Sequence, residues 1–184
     1  MHLGAASMLG ATGSNGSDNG IPEDFDVLTF TSSDLNEVSS VGFTVHNLVV
    51  NNPKSFTEDN IKKVKEDFHN NSLIVGQTNG RYGGGLVSPD EKIREEAISF
   101  VQNMCLITSK LEAPNTYLRP GSVNPDGPWL PHPENHSDKV FDRLVDSTKK
   151  ICSVAEDEGV MLSLEGGYVS PIYSARRTKD FIDA

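Results

Sequence analysis

Positive charge is what this chain has little of: 16 lysines and arginines stand against 26 aspartates and glutamates, a formal charge of −10. Such a balance repels nucleic-acid phosphates, so nucleic acid is not expected as a partner. Long apolar runs are missing too. No stretch of about 18 apolar residues exists to span a bilayer, so no membrane partner is expected. The N-terminus shows no basic segment leading into an apolar one, and the cytoplasm is the expected compartment. Cysteine is scarce: Cys105 and Cys152 lie in apolar-periodic segments without a CxxC pattern, as expected of two buried thiols in a reducing compartment. No G-x-G-x-x-G, P-loop or H-E-x-x-H is present.

What is there suits one globular domain. The 184 residues are 36% hydrophobic and 23% charged, enough for one sizeable core and too few residues for two ordinary domains. Residues 1–24 are rich in Gly, Ser, Asn and Ala and read as a flexible arm, leaving 25–184 as the folded domain. Beyond the arm, β-prone runs recur at Val27–Thr31, Phe43–Val50, Leu73–Gly76, Thr116–Leu118 and Val160–Leu164. They are apolar at successive positions rather than strictly alternating, as in strands covered on both faces.

Amphipathic helices fall between the runs. One spans Glu58–His69, with Ile61, Val64 and Phe68 on one face. Another spans Pro89–Glu112, with Ile93, Ala97, Val101, Met104, Thr108 and Leu111 in step, and Ser88 as its N-cap. A third spans Asp138–Glu158 on Phe141, Leu144, Thr148, Ile151 and Ala155. A short helix Asp34–Val41 ends at Gly42, and Ser170-Pro171 opens a last helix carrying Arg176, Arg177 and Phe181. The alternation predicts an α/β fold of about five parallel strands with right-handed crossovers. Periodicity does not choose between an open doubly wound sheet and most of a barrel.

In either architecture, chemistry gathers where strands end and βα loops begin. Gly83-Gly84-Gly85 reads as a phosphate cradle or as a flexible turn, since glycine amides approach anions closely but no lysine follows in the P-loop place. His132 and His136 are four apart, the spacing of helical metal ligands; Pro131 and Pro133 argue against a helix and for substrate-contacting loop residues, together with Trp129. His46, inside an apolar run, is a hydrogen-bonded core residue or a substrate contact. Glu165 closes the run Val160–Leu164 and is followed by two glycines. A carboxylate at a strand end with room around it suits a divalent cation or a general base, or is simply solvated in the loop.

The stretch from Leu118-Arg119-Pro120-Gly121 through Trp129-Leu130-Pro131-His132-Pro133-Glu134-Asn135-His136 resembles the fourth-strand loop of proteins known as sugar phosphate isomerase/epimerase, within the xylose-isomerase-like TIM-barrel superfamily. Ala155 through Gly166, Val75-Gly76-Gln77-Thr78-Asn79-Gly80 and Ser170-Pro171 through Arg177 fit the same pattern, so the resemblance runs from about Asp26 onward.

The resemblance implies a partial (β/α)8 TIM barrel whose C-terminal units are missing, since a full barrel takes about 250 residues. It implies an isomerase or epimerase acting by proton transfer next to a sugar carbonyl. Glu165 would be both a catalytic residue and a ligand of Mn²⁺ or Mg²⁺. His46, Asn79, Arg119, Trp129, His132 and His136 would contact a sugar or sugar phosphate. Further Asp, His and Glu ligands, expected from later strands, have no counterparts in the sequence, so little or no turnover is expected of the chain alone. Two alternatives accompany this reading: a half-barrel that associates with another chain through open sheet edges, and a sugar-binding module without catalysis.

Overall fold

In the computed structural model of the protein, residues 4–5 and 32–184 are described. They alternate strand and helix: β1 (Gly4–Ala5), α1 (Ser32–Ser40), β2 (Val45–Val50), α2 (Glu58–Asn70), β3 (Ile74–Gly80), α3 (Glu91–Lys110), β4 (Asn115–Leu118), α4 (Asp138–Asp157), β5 (Met161–Leu164) and α5 (Ala175–Asp183). The predicted strand Val27–Thr31 lies outside the described residues, as does nearly all of the predicted arm. Within that arm Gly4–Ala5 nevertheless pair as a strand with Val45–His46.

All strand pairs are parallel and the order is β1-β2-β3-β4-β5. A doubly wound sheet reverses its order at a switch point. This sheet steps one way only, as a barrel wall does, and the fold is α/β with the arrangement of a partial TIM barrel.

The helices cover one face of the sheet. Leu48 and Val50 of β2 join Leu35, Ile61, Val64, Phe68 and Met104 in one buried cluster. Leu118 joins Leu86, Val101, Leu144 and Ile151 in a second. Between α3 and the sheet lies a buried hydroxyl group: Thr78 Oγ1 sits 2.6 Å from Thr108 Oγ1 and 2.9 Å from Thr116 Oγ1. Thr108 satisfies its own proton on the Met104 carbonyl at 2.6 Å, so these hydroxyls are buried without an unmet donor. The opposite, inner face carries a polar group. Gln77 Nε2 donates to Asn115 Oδ1 at 2.7 Å, and Ser163 Oγ donates to the same oxygen at 2.9 Å.

Three boundaries differ from the sequence reading. β3 continues through Gln77–Gly80, which read as loop; a register shift opposite His46–Leu48 lets these polar residues stay in the ladder. α3 is capped by Asp90, not Ser88, its carboxylate accepting from Lys92 N–H and Ile93 N–H. α5 begins at Ala175 with Ser174 as cap, not at Ser170-Pro171. Ile93, predicted on the buried face, is 48% exposed in the first turn of α3.

His46 is fully buried on the helix side of β2, its ring edge-on to Phe68 with centroids 6.1 Å apart and Nδ1–H donating to the Asn47 carbonyl at 2.6 Å. Burial lowers its pKa below the ordinary value of 6.5, outweighing the backbone bond. The unfolded chain therefore binds more protons than the folded one between the folded and unfolded values, and stability falls as pH drops below about 6.5. His46→Gln is expected to flatten that acid limb in urea melts between pH 7 and 5; an unchanged limb would assign it to other groups.

Candidate functional site

Because every strand runs the same way, Asn51, Arg81, Arg119 and Glu165 all stand just past strand ends on one rim. Of these, Arg119 has the most developed surroundings. Its guanidinium carbon lies 4.8 Å from the Trp129 ring centroid and 5.7 Å from that of Tyr82. The Arg119 backbone N–H donates to the Tyr82 hydroxyl oxygen at 2.5 Å, locking the loop after β3 to the end of β4. Burial lowers the Arg119 pKa from its ordinary value, with the nearby charge of Arg81 acting in the same direction; burial pushes the Tyr82 phenol up to about 12. The guanidinium Nε is buried and makes no hydrogen bond. Among the described residues no carboxylate pairs with Arg119. A planar cation held between rings with free donors is prepared for an oxygen-rich ligand.

Glu165 stands at the neighbouring strand end, its backbone N–H donating to the Leu118 carbonyl at 3.2 Å. Its side chain is exposed and makes no ion pair among the described residues. Asn79 lies on the inner face near the rim, since its neighbours Thr78 and Gly80 face α3 and alternate residues of a strand point opposite ways. His46 does not reach the rim. It is buried in the core, because even-numbered residues of β2 face the helices.

The loop from Arg119 to His136 is folded on itself. Asn135, 1% exposed, donates from Nδ2 to Ser122 Oγ at 2.9 Å and accepts the Val123 N–H on Oδ1 at 3.0 Å. Ser122 Oγ donates to the Leu130 carbonyl at 2.7 Å, and Asn124 Nδ2 to the Pro131 carbonyl at 2.9 Å. These bonds present Trp129 and Leu130 at the surface. His132 caps a 3-10 turn, Pro133–His136, through Nδ1, which accepts the Glu134 N–H at 3.2 Å. His136 stacks on Tyr173 with centroids 4.0 Å apart, and its Nε2–H donates to the Tyr168 carbonyl at 2.6 Å. The pair His132 and His136 is thus tied into a 3-10 turn rather than along a helix face.

The glycine loop is a packing device. A Cβ on Gly84 would stand 2.2 Å from the Ser122 carbonyl oxygen, so the loops after β3 and β4 touch backbone to backbone. Asp90 already occupies the first amides of α3. The turn reading of Gly83–Gly85 holds, and the cradle reading has no free helix terminus behind it.

A divalent ion such as Mg²⁺ wants near-octahedral oxygen ligation. Among the described residues no three His, Cys, Asp or Glu side chains are grouped to hold a metal. Glu165 by itself does not fit such an ion. Tyr82, Tyr168 and Tyr173 were not among the expected site residues, although each lies in a loop that follows a strand.

The sequence model of the family described as xylose isomerase-like TIM barrel matches residues 35–184. The chain belongs to that family. No curated protein sequence matches it. The fold of this xylose isomerase-like chain is shared with a D-psicose 3-epimerase crystallised in the presence of D-fructose, at 14% identity, TM-score 0.70, covering 100% of this chain and 59% of that one. It is shared with a xylose isomerase-like TIM barrel protein from Mycobacterium smegmatis in complex with magnesium, at 17% identity, TM-score 0.70, covering 99% and 60%. An L-ribulose 3-epimerase matches at 15% identity, TM-score 0.69, covering 99% and 56%. The chain therefore spans somewhat over half the length of these xylose isomerase-like structures. Among the described residues no helix is long and apolar enough to cross a membrane.

Proposed function

We propose that the chain carries part of the site of a sugar, or sugar phosphate, isomerase or epimerase. The observation that supports it most is Arg119, 4.8 Å from the Trp129 ring centroid and 5.7 Å from that of Tyr82 and without a carboxylate partner among the described residues, with Glu165 at the next strand end. A sugar lying over Trp129 would offer its carbonyl oxygen to Arg119. Glu165 would take the proton from the adjacent carbon as the bond electrons move onto that oxygen; protonation of the same carbon by an acid on the opposite face gives the epimer, and return of the proton to the former carbonyl carbon, with the hydroxyl proton passing to the enediolate oxygen, gives the isomer. Asn79 would supply a further hydroxyl contact, and His132 and His136, where the loops after β4 and β5 meet, would bound the sugar on its far side. A divalent cation such as Mn²⁺ or Mg²⁺ would need donors from outside the described strands. A second chain docking at the open β5 edge is one source of them, so turnover is expected to depend on completion of the site.

Trp129 is the only tryptophan, so its fluorescence reports on the site directly. D-fructose and fructose 6-phosphate are expected to change it saturably. Arg119→Ala should weaken that binding by about 10–100-fold, the loss of charge-assisted hydrogen bonds. A sugar response that survives Arg119→Ala unchanged would remove this site from consideration.

A further inference from the structure

A cleft opens where the loops after β4 and β5 meet. It has a volume of about 390 Å³ and is lined by Pro131, His132, Pro133, His136, Tyr168 and Val169. That volume falls within the range of small-ligand sites, about 300–1,000 Å³. Both of its walls continue from the proposed sugar site: Trp129 is two residues from Pro131, and Glu165 three from Tyr168.

We propose that this cleft is a second carbohydrate subsite, which takes a sugar ring joined to the reacting sugar, so that the preferred ligand class is a reducing disaccharide or glycoside. The inference rests on the sugar-binding reading above. Its walls carry the chemistry a neutral sugar needs. Tyr168 is 79% exposed and Tyr173, stacked on His136, is 43% exposed, so large ring surface faces water next to the cleft. His136 is edge-on to Tyr168 at 5.7 Å, and its hydrogen bond to the Tyr168 carbonyl joins the loop after β4 to the loop after β5. Pro131 and Pro133 stiffen one wall, which lowers the entropy lost on binding.

His132 supplies the polar contact. Its Nδ1 accepts the Glu134 N–H, so the neutral ring carries its proton on Nε2, a donor with no acceptor among the described residues. No lysine or arginine lines the cleft, which disfavours a phosphate there. Exposed rings with one or two directed hydrogen bonds match the apolar face and hydroxyl edge of a pyranose.

The test compares D-fructose with lactulose and isomaltulose, two reducing disaccharides that end in fructose, by Trp129 fluorescence and calorimetry on the purified chain. The disaccharides are expected to bind about tenfold more tightly. Tyr168→Ala should erase that advantage and leave D-fructose binding unchanged, while Tyr168→Phe should retain it. Tyr168 is exposed, so the variant will fold. Disaccharides binding no better than D-fructose, or an advantage untouched by Tyr168→Ala, would overturn the subsite and leave the first site standing. Failure of all three sugars to bind would overturn both.

Discussion

Gly121→Ala is expected to destabilise the protein by about 2–5 kcal/mol and to weaken sugar binding as well. Gly121 has a φ of +73°, which costs a side-chain-bearing residue about 1–2 kcal/mol. Its added Cβ would lie 2.6 Å from Gly84 Cα, and neither neighbour has a flexible end to move aside. Relief requires separating the loop after β4 from the loop after β3. That separation would pull Tyr82 from the Arg119 backbone N–H and loosen the stack on Trp129. The expected readout is a melting temperature lower by about 5–15 °C, with a red-shifted Trp129 emission in the folded state. A variant that melts with the parent would mean that the two loops are not in contact in solution.

The second large effect is expected at Asn135. Asn135→Ala leaves the Val123 N–H without its acceptor and removes a donor to Ser122 Oγ, which keeps its bonds to the Leu130 carbonyl and the Asn124 N–H. Leaving one buried donor unmet costs about 1–3 kcal/mol, and a loss of that size is expected. The effect should be local before it is global. Hydrogen exchange should rise first across residues 122–136, with the helices still protected. Ser122→Ala and Asn135→Ala together should cost clearly less than the sum of the two, because they break shared bonds. Strict additivity would show that the pair does not act as one pin.

Both predictions concern the loop on which the sequence carried the family resemblance, and they show what that resemblance did not contain. Asn135 and Ser122 stood out as part of a motif, but the motif says nothing of their being buried, or that they hold Trp129 outward. Residue identity alone did not distinguish Asn135, a pin inside the loop, from His136 one place later, which reaches across to the loop after β5. The difference depends on which side of a 3-10 turn each one faces.

The sequence by itself determined the alternation of strand and helix, the buried faces of α2 and α4, and the strand ends where Arg119 and Glu165 sit. These follow from local periodicity, which a few consecutive residues carry. The tertiary structure alone decided the rest. Strand order, and with it the barrel arrangement, depends on pairings between residues far apart in the chain. The placement of His46 depends on which parity of β2 meets the helices, a choice that Phe68 and Val75 enforce from other elements. Gln77–Gly80 joined β3 only because a register shift against β2 admitted them. Arg119 gained its meaning from Tyr82 and Trp129, brought to it from opposite sides in sequence, and no local pattern encodes such a meeting.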